Sequence, residues 1–164
     1  MGIYTEKTFV PMPRLKTLSL CSNNSYAAIL EDSLSLETLI CLDEYKHEGI
    51  KLPKLTNLIA HLSQCIEDII KLNSDTLEFI ALGVLNYMWL LDLPEANFPV
   101  LKQIVICDLC RYHEIEDENT KAVVKTGLQA KYPHVQITFE DCLIDKFAKD
   151  YLRSKGLVYK HIQE

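Results

Sequence analysis

The residues best suited to chemistry are Cys107, Cys110 and His113, a C-x-x-C-x-x-H run. Two thiols at this spacing can hold zinc or close as a redox disulfide. A zinc site needs a fourth ligand, and the chain has no second C-x-x-C. Cys107 also follows Ile106 at the end of an apolar, strand-like run, where a small thiol serves as packing. Packing is therefore the preferred reading. A metal- or thiol-dependent protein using Cys107, Cys110 and His113 is the alternative. His61 and Cys65 stand four apart, but a thiolate needs its base within hydrogen-bond reach, and this pair straddles a strand end. The acidic run HEIEDEN (113–119) lacks the D-x-D-x-D-G order of a calcium loop and reads as a solvated loop leading into a helix. The five glycines are scattered singly, so there is no phosphate-cradling loop, and neither G-x-S-x-G nor H-E-x-x-H occurs. The expectation is a chain with no catalytic residue, no metal ligand set and no cofactor.

What would position any site is a phrase that recurs down the chain: Leu, two variable residues, Leu, one variable residue, Leu. Its clearest copy is LKTLSLCSN, with Leu15, Leu18, Leu20 and Asn23. Further copies read SLETLICL from Ser35, LPKLTNLIA from Leu52, DTLEFIALG from Asp75 and FPVLKQIVIC from Phe98. A degenerate sixth, YPHVQITFED, starts at Tyr132. The first apolar anchors Leu15, Leu36, Leu55, Leu77 and Leu101 are 21, 19, 22 and 24 residues apart. Residues two apart on a strand point to one face, so each copy predicts a short strand that buries its last two apolar residues together. One such strand cannot bury its face alone, but stacked copies share a continuous core.

These repeats and spacings resemble the leucine-rich-repeat family over roughly positions 12–142. The form AKYPHVQITF is similar to the last repeat of F-box-type repeat proteins. The resemblance implies an α/β solenoid of about five to six repeats over 1–142 (within the error of pattern reading). Its parallel sheet lines the concave side, with helices or irregular turns on the convex side. The segments between phrases fit that role: SYAAILED (25–32), SQCIEDIIKL (63–72) and YMWLLDL (87–93) are apolar and helix-compatible. ENTKAVVKTGLQAKY (118–132) predicts a helix, with Ala122, Val123, Leu128 and Ala130 at roughly helical intervals and Asn119 or Thr120 as its cap. Residues 143–164 predict a C-terminal capping helix and tail of the same domain. There Leu143, Ile144, Phe147, Ala148, Tyr151 and Leu152 fall at helical spacing, and Gly156 ends the helix.

Composition narrows the function. Hydrophobic residues make up 48% of the 164, enough for a core. No apolar stretch approaches the ~20 residues of a membrane span. MGIYTEKTFVPMP lacks the basic and apolar regions of a secretory signal. With six scattered cysteines, these features predict reduced thiols in a cytoplasmic protein without a membrane partner. The net charge is −6, and residues 61–120 hold three Lys or Arg against eleven Asp or Glu. That balance disfavours nucleic acid as a partner and suits a basic protein.

Carrying the register of the first copy down the chain turns one set of residues outward on every strand. Among them Ile40, Leu42, Ile59, His61, Phe79 and Val105 form an apolar concave patch, and such patches mark binding sites. The alternative is that a return loop or the tail covers it. The resulting expectation is a non-catalytic protein–protein interaction module that binds a protein partner on its concave sheet. Two varieties fit: substrate recognition in a ubiquitin-ligase adaptor, and a bacterial effector.

Overall fold

Among the described residues, the alternation of buried and outward side chains builds six short strands. The computed structural model describes residues 14–20, 30–31, 33–42, 49–93, 95, 97–108 and 118–157. The strands are β1 (Thr17–Leu20), β2 (Thr38–Cys41), β3 (Asn57–His61), β4 (Phe79–Val84), β5 (Gln103–Asp108) and β6 (Gln136–Leu143). They form one all-parallel sheet in sequential order, so the protein is α/β. The segments that return from strand to strand include helix α1 (Gln64–Leu72), a 3-10 helix (Tyr87–Asp92) and helix α2 (Glu118–Lys131). Helix α3 (Ile144–Ser154) follows β6 directly.

Three copies of the phrase enter their strands in the same way. A tight turn closes onto the apolar anchor: Leu36 N–H donates to Ser33 O (3.0 Å), Leu55 to Leu52 (3.0 Å) and Val135 to Tyr132 (3.1 Å). Pro53 and Pro133 stand second in two of these turns, where a fixed φ favours the bend. The residue after the anchor then accepts from the next copy. Lys16 O receives Glu37 and Thr38, Glu37 O receives Thr56 and Asn57, Thr56 O receives Glu78 and Phe79, and Lys102 O receives Gln136. This repeated seam satisfies the backbone groups that an isolated strand start would leave unpaired.

The middle of the sheet, β2 to β5, is buried on both sides, as all-parallel sheets generally are, while the edge strands β1 and β6 are partly exposed. On the inner side, Leu20, Leu39, Cys41, Leu58, Ala60, Ile80, Leu82, Ile104, Ile106 and Ile137 meet the anchors and the returning segments in the larger core. Helix α1 contributes Ile66, Ile69 and Ile70 from one face, and Ser63 caps it by accepting from Ile66 N–H. Asn73 closes the same helix and is fully buried. Its Oδ1 accepts from Leu52 N–H (2.6 Å), while Nδ2 donates to Ile50 O and Ile69 O (both 2.8 Å). One amide thereby ties α1 to the turn entering the preceding strand, with its polar atoms paired.

Helix α2 differs in phase from the sequence expectation. Val124 and Leu128, four apart, are its buried pair. Ala122, Val123 and Ala130 face outward, with Val123 56% exposed, and Asn119 and Thr120 lie inside the first turn rather than at the cap. A helix rich in alanine and valine offers two nearly equivalent apolar stripes, and packing against the 3-10 helix selects one. Gly127 permits that contact: a Cβ there would lie 2.5 Å from Leu91 Cδ2. Lys131 Nζ donates to Leu91 O and Leu93 O (both 2.7 Å), capping the 3-10 helix.

Helix α3 differs in placement. The expected capping helix does not sit over the end of the core but across the second face of the sheet. There Ile144, Ala148 and Leu152, one per turn, form a second core with Ile40, Leu42, Ile59, Ala81, Val105 and Cys107. Gly156, at φ 71°, ends the helix. Gly156 N–H donates to Arg153 O and Leu157 N–H to Leu152 O, the paired bonds of a Schellman close.

Candidate functional site

The strand register places the outward residues of the phrases in three rows across the second face. Thr17, Thr38, Asn57, Phe79, Gln103 and Gln136 form the first row. Ser19, Ile40, Ile59, Ala81, Val105 and Thr138 form the second, and His61, Gly83, Cys107 and Glu140 the third. The first row is largely polar, and its side chains bond sideways: Asn57 Nδ2 donates to Thr38 Oγ1 (3.3 Å) and Gln103 Nε2 to Thr138 Oγ1 (3.5 Å). The second row is apolar in the middle and polar at both ends.

The structure brings the expected partner-binding residues together but does not leave them accessible. Ile40 and Ile59 are 0% exposed, Val105 2% and Leu42 6%. Phe79 is half-buried and stacks on Phe147 and Tyr151 of α3, with ring centroids 6.3 and 5.7 Å apart. His61 Nε2 lies 3.5 Å from Asp145 Oδ1 in the first turn of α3. The patch is real as a cluster of side chains; its occupant is this chain's own helix. The contact is close because β4 carries small residues beneath it. A Cβ at Gly83 would stand 2.5 Å from Ile144 Cγ2 and 2.8 Å from Ile144 Cβ. The Tyr151 hydroxyl and the Thr38 side chain are hydrogen-bonded at the other end of the helix.

The residues that pattern reading missed are therefore Gly83, Cys142, Phe147 and Tyr151. Ala81 and Gly83 did carry a signal, since small residues at outward strand positions mark close approach by another segment. Phe147 and Tyr151, four apart, presented an aromatic stripe for which the sequence offered several partners.

Cys107 is fully buried in this second core, and its thiol is in hydrogen-bond contact with that of Cys142. Burial first, then the neighbouring thiol and the carboxylates Glu140 and Asp108, push the Cys107 thiol far above its ordinary range. Burial also raises Cys142. Both thiols are held protonated, which is the wrong state for a nucleophile or a metal ligand. Cys110 and His113 lie outside the described residues, as does most of the HEIEDEN run. Among the described residues no group of three or more His, Cys, Asp or Glu could hold a metal ion. His61 and Cys65 fall on opposite sides of the sheet, His61 in the third outward row and Cys65 against the inner core.

Between α3 and β6 the second face stays open. A groove of about 660 Å³ runs there, with Cys142, Phe147 and Tyr151 as apolar lining. Glu140, Asp141, Lys146, Asp150 and Ser154 stand around it. Two of its carboxylates have cationic partners: Asp141 faces Lys121 (3.4 Å) and Asp150 faces Arg153 (3.1 Å). The Asp150–Arg153 pair is exposed at both ends and cheap to break, whereas Asp141 is exposed but its partner Lys121 is largely buried. Among the described residues, no helix is long and apolar enough to cross a membrane. No family model, no curated protein and no solved structure matches this chain.

Proposed function

We propose that this chain is a non-catalytic protein-interaction module of leucine-rich-repeat type, and that it binds an extended segment of a protein partner in the groove between α3 and β6. The sequential parallel strands, the turn that recurs before Leu36, Leu55 and Val135, and the backbone seam between copies support the repeat reading. The observation that carries the binding site is the groove itself. It is the part of the second sheet face that α3 leaves uncovered, and it sets Cys142, Phe147 and Tyr151 among charged and polar side chains. Relative to the sequence expectation, the binding surface shifts from the middle of the sheet to its β6 flank. The thiol-dependent alternative is the weaker reading, because Cys107 is sealed under α3 and held protonated.

The test replaces Asp150, an exposed rim residue of α3, by lysine, with Lys125→Glu on the outer face of α2 as a control of the same charge magnitude. Partners captured by the native protein are identified by mass spectrometry. Loss of a specific partner in Asp150→Lys but not in Lys125→Glu supports the groove. Identical capture by all three proteins refutes it.

A further inference from the structure

Cys107 and Cys142, both free thiols, stand on neighbouring strands, and a break in the sheet register brings them together. Cys107 pairs with Glu140, so an unbroken register would leave Cys142 two residues further along β6. At ~3.3 Å per residue and ~4.8 Å between strands, their Cα atoms would then be about 8 Å apart. A disulfide cannot span more than about 7 Å between Cα atoms. Instead the next pair is Asp108 with Leu143. Counting back from Leu143 sets Cys142 level with Cys107, and the surplus residues of β6 form a bulge. Bulges of this kind re-aim a side chain. Both cysteines pack in the second core, and their thiols are in hydrogen-bond contact.

Their access differs. Cys107 is sealed beneath α3, whereas Cys142 is only partly buried and lines the groove. A reagent in the groove meets Cys142 first, and Cys107 can react only with Cys142. The C-x-x-C spacing offers Cys110 as the partner of Cys107, but the sheet supplies a different one.

We infer that Cys107 and Cys142 are a redox pair that closes as a reversible disulfide across the β5–β6 bulge when hydrogen peroxide reaches Cys142 from the groove. The Cys142 sulfur attacks one peroxide oxygen: an S–O bond forms, the O–O bond breaks and water leaves, giving a sulfenic acid. The Cys107 sulfur then attacks the Cys142 sulfur. The S–S bond forms, the S–O bond breaks, and the departing hydroxide takes the Cys107 proton as water. Two thiols lose two electrons and two protons, and one peroxide becomes two waters. Burial holds both thiols protonated, so the first step is slow at neutral pH and quickens as pH rises. The same burial favours the closed state, because the reduced pair gains nothing from thiolate stabilisation. The pair is a slow sensor rather than a catalyst, and its closure does not depend on what the groove binds.

The full chain in its native state is treated with hydrogen peroxide, then denatured with an alkylating agent present. Cleavage before aspartate, without reduction, separates Cys107 from Cys110, because Asp108 lies between them. The expected product is a cross-linked pair of peptides holding Cys107 and Cys142, two hydrogens lighter than the free thiols. It forms faster at higher pH and is lost on treatment with dithiothreitol. In Cys142→Ser, checked for native circular dichroism, Cys107 stays unoxidised and is alkylated on denaturation. A Cys107–Cys110 bond, sulfinic acid at Cys142 with Cys107 still alkylated, or no oxidation of either thiol overturns the inference. Oxidation of Cys107 at an undiminished rate in Cys142→Ser overturns it too, since the oxidant then does not enter through Cys142.

Discussion

The seat of α3 on the sheet makes a sharp prediction at Gly83. Its missing Cβ is the space into which Ile144 fits, with Cγ2 and Cβ of Ile144 at 2.5 and 2.8 Å from where that atom would stand. Gly83→Ala must therefore push the helix away or distort β4. Ile144 cannot swing aside, because its β-branched side chain is stiff and its Cβ moves only with the backbone. Overpacking of this kind costs about 1–3 kcal/mol. Replacing a strand glycine would otherwise stabilise by ~0.4–1 kcal/mol through the unfolded chain, so the sign of the effect is itself diagnostic. Ile144→Ala empties a fully buried position and costs roughly 2–5 kcal/mol alone. The double variant removes Cγ2 and Cγ1 from the clash and leaves the Cβ contact, so its cost falls short of the sum by about 1 kcal/mol or more. Urea unfolding of the four proteins measures the cycle. A Gly83→Ala protein as stable as the native one, with strictly additive double-variant energies, would show that α3 does not lie on β4 and would return the sheet face to solvent.

Other outcomes follow from the same structure. Asn73→Ala leaves Leu52 N–H and Ile50 O buried without partners, at a cost of roughly 2–5 kcal/mol, read by urea or thermal unfolding. Cys107 stays unreactive to Ellman's reagent in the native protein and reacts on denaturation. Prompt native labelling at Cys107, located by peptide mapping, would contradict its burial under α3. Tyr132 is pushed up to about 12 by burial, with Glu95 adding to it. Its folded value exceeds its unfolded one, so its contribution to stability is complete below about pH 10 and is lost as pH rises towards 12. Tyr132→Phe should flatten the decline of unfolding free energy between those values.

The strands were legible from residues alone. Because side chains alternate with a period of two, LKTLSL in one copy determines which residues share a face in every copy. Leu39, Leu58, Ile80 and Ile104 duly lie in one core, while Ile40, Ile59, Ala81 and Val105 lie in the other. Proline before an anchor likewise announces its own turn. Helix phase was less legible: Val123 and Val124 are equivalent by composition, and the neighbouring 3-10 helix decided between them.

The candidate site was legible as a cluster and misread as a surface. An apolar row on a strand states that something must cover it; it does not state what. The amphipathic stripe of Ile144, Ala148 and Leu152 is equally silent about its partner, since either the end of the inner core or the second sheet face would bury it. Local periodicity thus determined the strands, their register and the existence of two unsatisfied apolar surfaces, because those depend on neighbours within a few residues. Tertiary structure alone decided that the two surfaces satisfy each other. Their meeting depends on the chain's turn from Leu143 into Ile144 and on the room at Gly83, and only the assembled sheet brings these together.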